Sequence, residues 1–215
     1  YGQQKMIAHY NCTGDWAFYI EGDEVYHEDD LDRISHSMKL YLNDPNVEAL
    51  VFDFKHFYGN ANSFLESPGW YRSEARIIKN SIRVYAPDGL FWVVLNLNSN
   101  KNGRYPKAKH TGATCYHYGW VRTQDQMNLK STKVQKYWGA LPQKIDYSQI
   151  DQAIIHEFQG THPKLIQDWL PKEKGLFKSD PSYKLTRKQK KHRFMLKIEN
   201  LLGVELSKKH YKLLK

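Results

Sequence analysis

Two apolar, β-prone runs, WAFYI (16–20) and VEALVFDFKHF (47–57), bracket a single amphipathic pattern, HEDDLDRISHSMKLYLNDP (27–45). Leu31, Ile34, Met38 and Leu42 form one stripe of that pattern, acids fill its first turn, and Asn43-Asp44-Pro45 stops it. In the second run Leu50, Phe52 and Phe54 point one way while Val51, Asp53 and Lys55 point the other. A further helical spacing, Met6, Ile7 and Tyr10, precedes the first run and ends in NCTGD. Helix and strand therefore alternate, which predicts an α/β sheet with crossover helices. In such sheets ligands gather beyond the carboxyl ends of strands. The first run ends at EGDE (21–24), so acids stand where a ligand would be expected.

Downstream, YGNANSFLESPGWYRSE (58–74) reads as a surface loop rich in Gly, Asn, Ser and Pro among aromatics. ARIIKN, FWVVLNL and ATCYHYGW read as strands, and RTQDQMNLKSTKVQKYW as a helix anchored by Met127, Val134 and Trp138. From about residue 140 the pattern changes to short helices and polar connections, predicting one domain over 1–140 and a helical extension over 141–215. The last helix, TRKQKKHRFMLKIENLLG, places Phe194, Ile198, Leu201 and Leu202 on one face and bases opposite.

The formal charge of +9 is unevenly spread. Residues 1–60 hold four Lys/Arg against eleven Asp/Glu, whereas residues 164–215 hold fifteen against five. This asymmetry argues against a uniform nucleic-acid surface and for separate tasks at the two ends. The two cysteines make neither a disulfide framework nor a zinc site, and no apolar run reaches the roughly 20 residues of a membrane span. That points to a cytoplasmic protein. Phosphate-loop, dinucleotide and nucleophile-elbow motifs are absent.

Three chemistries suggest themselves. A carboxylate-x-carboxylate on a tight loop, Glu21 and Asp23 around Gly22, presents hard oxygens to Mg²⁺ or Mn²⁺, and equally suits a solvated acidic turn. His117 in CYHYGW is a third ligand only if its strand ends beside that loop; otherwise it is a hydrogen-bonded core residue. Glu74, among Trp70, Tyr71, Arg72 and Arg76, is either a general base with a raised pKa or an ion-paired carboxylate. Asp53 and Asp88 are weaker competitors for the base.

GDWAFYIEGDEVYHEDDL, FDFKHFYGN, GWYRSEARIIKN, YHYGWVR, FQGTHP and HYKLLK follow one another in this order. Together they resemble a bacterial branch of the family 2 glycosyltransferases. The resemblance implies the GT-A fold, a Rossmann-like mixed sheet here partial at its N-terminus, since the family's nucleotide-base-binding segment would precede Tyr1. It implies an inverting transfer of a sugar from a nucleotide-diphosphate donor to a sugar or lipid-linked acceptor, as in cell-surface polysaccharide synthesis. The family's D-x-D motif falls on Glu21-Gly22-Asp23, with Glu24 beside it, and His117 matches the histidine that completes a Mn²⁺ or Mg²⁺ site. Glu74 would be the base, Arg122 a phosphate contact, and Trp70, Tyr118 and Trp120 sugar-stacking rings. The lysine-rich tail suggests peripheral contact with an anionic membrane, at its inner face. Two rivals are a two-carboxylate glycoside hydrolase and a basic module that binds nucleic acid or membrane without catalysis.

Overall fold

A computed structural model describes residues 1–95, 103–135, 144–170 and 175–215. The chain divides into two compact units. The first comprises 1–54, 71–115 and 208–215; the second comprises 55–70 and 116–207. Neither is a continuous stretch, so the expected boundary near residue 140 is not where the units part.

In the first unit, α1 (Gly2–Tyr10) precedes β1 (Trp16–Phe18) and β2 (Glu24–Tyr26), then α2 (Leu31–Leu40). β3 (Ala49–Tyr58) runs antiparallel to β5 (Ser73–Lys79), as does β1. A small hairpin joins β6 (Val84–Tyr85) to β7 (Val93–Val94). The first part of β8 (Lys107–Trp120) pairs in parallel with β10 (Lys212–Leu213). The fold is thus mixed α/β with both strand directions. The crossover expectation fails for the β1–β5 and β3–β5 pairs, which are antiparallel, whereas β3 also pairs with β8 on its other side.

Side-chain alternation explains the two cores around β3. Leu50, Phe52 and Phe54 pack with Ile34 of α2 and Ile77, whereas Val51 joins Ala75, Ile78 and Trp92 on the opposite face. Every residue of β5 is buried, which fits a central strand covered on both faces. Of the α2 stripe, Ile34 enters the core but Leu31 is 55% exposed.

The second unit contains β4 (Asn60–Leu65), antiparallel to both the end of β3 and β9 (Ile155–Glu157). This corrects the surface-loop expectation for 58–74: Asn60, Ala61, Ser63 and Leu65 are buried, and the polar residues are strand residues. Gly59, with φ at 72°, makes the tight turn between β3 and β4. α3 (Gln124–Gln135) buries Met127, while Trp138, its third expected anchor, lies outside the described residues. α4 (Arg187–Leu202) begins with a Thr186–Gln189 capping box and ends at left-handed Gly203. Its expected apolar face is turned to solvent, with Phe194 64%, Leu201 83% and Leu202 62% exposed. Among the described residues no helix is long and apolar enough to cross a membrane.

Candidate active site around the acidic loop

The acidic loop begins where β1 stops. Tyr19 N–H still donates to the Arg76 carbonyl (2.8 Å), so the chain leaves the ladder only at Ile20. Glu24 N–H then donates to the Glu21 carbonyl at 3.0 Å, closing a turn around Gly22 and Asp23. Glu24 itself points inward. Its two oxygens accept from Arg76 Nε at 3.1 and 3.0 Å, and one also accepts from Nη2 at 2.6 Å. Both side chains are wholly buried. Burial alone would lower the Arg76 pKa, but Glu24 outweighs it and holds the guanidinium charged. Phe54 lies beneath that guanidinium, 4.7 Å from ring centre to Cζ. The positive group among the acids is therefore an arginine of β5, and Glu24 is its counter-ion rather than a donor-binding residue.

Glu21 and Asp23 remain half-exposed on the loop. Glu21 lies 3.9 Å from Arg76, and burial followed by repulsion from Glu24 pushes its pKa up. Behind the loop sits Lys5 of α1, only 2% exposed. Its Nζ donates to the Gly89 carbonyl (3.3 Å) and rests 3.8 Å from the Trp92 ring and 4.1 Å from that of Tyr19. Burial, then Arg76, lowers its pKa to about 7 against the opposing pull of Glu74, Glu21 and Asp88.

Glu74 is fully buried. One oxygen accepts from Ala75 N–H (3.0 Å), and the other meets His210 Nδ1 at 2.6 Å. The His210 ring in turn stacks on Phe91 at 4.2 Å. This placement corrects the base assignment: the carboxylate is a tie to the chain's closing residues and does not face a substrate. Its partner is neither Arg72 nor Arg76.

His117 belongs to the second unit and Asp23 to the first. Within its unit His117 Nδ1 faces His56 Nδ1 at 2.9 Å. Tyr118 stacks on Phe57 at 4.7 Å and bonds His162 through its hydroxyl, so one face of its ring is already covered. Trp70 and Trp120 do come together, edge to face at 5.5 Å, while Arg122 is exposed. Among the described residues no group of three or more His, Cys, Asp or Glu is arranged to hold a metal ion. Sequence reasoning missed Lys5, His56 and His210; only the placement of His210 in the HYKLLK block signalled a role.

Comparison with protein-family models, curated proteins and solved structures finds no match to this chain.

Two predictions follow from this geometry. Arg76→Ala strands Glu24 in the core and should remove about 3–5 kcal/mol of stability in urea denaturation; a loss within error of zero would mean the pair is not buried as described. Lys5 binds its proton more weakly folded than unfolded, so stability rises with pH from about 7 toward its ordinary value near 10.5. The slope for one proton approaches about 1.4 kcal/mol per pH unit. Lys5→Met should flatten that rise, read from melting curves at stepped pH.

Proposed function

We propose that this chain carries the catalytic loop of a metal-dependent inverting glycosyltransferase of GT-A type. The sugar passes from a nucleotide-diphosphate donor to an acceptor hydroxyl. The observation that carries the reading is the division of labour in the acidic loop. Glu24 turns inward to Arg76 and fixes the turn, which leaves Glu21 and Asp23 outside the end of a strand.

Those two carboxylates suit Mg²⁺ or Mn²⁺, which commonly take one or two protein carboxylates and complete their shell with water and substrate phosphates. A bound cation would neutralise the charge developing on the leaving diphosphate. His117, the further ligand the resemblance implies, belongs to the other unit and is engaged at Nδ1 by His56. With Glu74 enclosed, we assign the base to Asp88, in the Pro87-Asp88-Gly89 turn. One of its oxygens accepts from Leu90 N–H at 2.7 Å; the other has no partner among the described residues. Asp88 also acts on Lys5, as Glu21 does, so both carboxylates border one charge cluster. Lys5, its pKa lowered to about 7, changes that cluster's charge by one as it titrates.

Release of nucleoside diphosphate from a panel of sugar nucleotides with Mn²⁺ tests this. Asp23→Asn and Asp88→Asn should each slow transfer at least about 100-fold while the melting temperature holds. Glu74→Gln should lower the melting temperature instead. Turnover that survives both aspartate changes would defeat the assignment.

The reading places the protein on the cytoplasmic side, with α4 resting on an anionic membrane. The support is the exposed Phe194, Leu201 and Leu202 on a helix that also carries Arg187, Lys188, Lys190, Lys191 and Lys197. The second unit as a whole holds seventeen Lys/Arg against ten Asp/Glu. Vesicles containing phosphatidylglycerol should sediment the protein, and pure phosphatidylcholine should not. Changing Phe194 and Leu201 to Ser should leave the protein in the supernatant; sedimentation unaffected by that change would reject the contact.

A further inference from the structure

A cleft of about 400 Å³ lies wholly within the second unit. That volume falls at the small end of the range for small-molecule sites. One wall is aromatic: Tyr58, Trp70 and Trp120 line it, with Trp120 stacked on Tyr58 at 5.7 Å. The rest is polar, with Gln149, Asp151 and His192 in the lining.

The polar groups are held in place and not fully used. Asp151 is 2% exposed, and its carboxylate accepts from Ala153 N–H at 2.9 Å and from Arg193 through Nε (2.7 Å) and Nη2. A carboxylate offers about four acceptor sites, so one remains for a ligand. Burial, then Lys188 and Lys191, lowers the His192 pKa, which keeps its ring neutral and able to donate as well as accept. Neither the Trp70 nor the Trp120 indole N–H has a partner among the described residues. An aromatic wall beside fixed hydrogen-bonding groups, with two indole donors, matches a pyranose ring. Its C–H face stacks on aromatics while its hydroxyls bond outward. Lys188 stands in the lining, and the acid inside is already paired with Arg193, so the cleft offers mainly hydrogen-bonding groups.

We propose that this cleft binds a neutral pyranoside, the class of ligand that the transfer inferred above would handle. The inference rests on that reading for its biological role. Its test needs neither donor nor metal, so failure here leaves the transferase assay untouched.

The test is an NMR titration of the full chain, following both indole N–H signals against a panel of methyl pyranosides and N-acetylhexosamines, with inorganic phosphate as a control. The expected result is saturable shifts of both signals with at least one sugar and none with phosphate. Two variants address the cleft without removing its aromatic wall. Gln149→Ala takes away an exposed lining group. Gly69→Ala adds a Cβ that would collide with the His192 ring and displace it. Each should weaken binding at least tenfold. No saturable shift with any sugar, binding that both variants leave intact, or a response to phosphate alone would each overturn the proposal.

Discussion

The buried pair between Glu24 and Arg76 sets the geometry of everything around the acidic loop. Moving both charges out of water carries a penalty of several kcal/mol per ion. It is offset only where the two groups meet with several good hydrogen bonds, as the three short contacts here do. That requirement fixes the first residue of β2 over the middle of β5. The intervening turn has only Glu21, Gly22 and Asp23 with which to span the gap. Their side chains are left on the outer side because the inner side is occupied by the guanidinium, by Phe54 beneath it and by Lys5 nearby. A loop placed by a core ion pair differs from a solvated acidic turn, which could adopt many shapes.

Much of the first unit was legible because its signals are local. The stripe containing Ile34 and Met38 and the alternation around Phe52 depend only on residues a few positions apart, and both cores follow from them. Strand direction was not legible. Helix and strand alternate in the chain, but β5 inserts beside both β1 and β3, and the antiparallel ladders follow from that insertion. Composition misled at 58–74, where Gly59, Asn60 and Asn62 suggest a loop. Asn60 is satisfied in a strand instead, its amide donating to the Gly175 carbonyl at 3.1 Å. Polar residues can occupy a strand when a distant backbone supplies their partners, and a sequence window does not contain that backbone.

The candidate site divides in the same way. EGDE was recognisable because three acids and a glycine within four residues are unusual after an apolar strand. Its electrostatic organisation was not, since Arg76 is 52 residues from Glu24 and Lys5 precedes both. The cleft in the second unit left still less trace. Its lining comes from 58–70, 120, 149–154 and 186–192, and within each segment the residues look like ordinary core or surface. Trp70 and Trp120 were singled out as sugar-stacking rings, yet nothing near them in sequence announces that they share a wall.

Glu74 illustrates why residue type and neighbours do not settle a carboxylate's role. Its sequence neighbours, Arg72 and Arg76, suggested either a desolvated base or an arginine pair. Arg76 is committed to Glu24, and Glu74 meets His210, 136 residues away. Next to it Ser73 meets the Tyr211 hydroxyl at 2.7 Å, and from the following residue β10 adds to β8. The closing HYKLLK segment is therefore a fastening for β5, the strand that also carries Arg76. Such a long-range closure costs more chain entropy than a local contact. The acidic loop is consequently tied, through Arg76 and β5, to the last residues of the chain. A carboxylate so placed secures the scaffold.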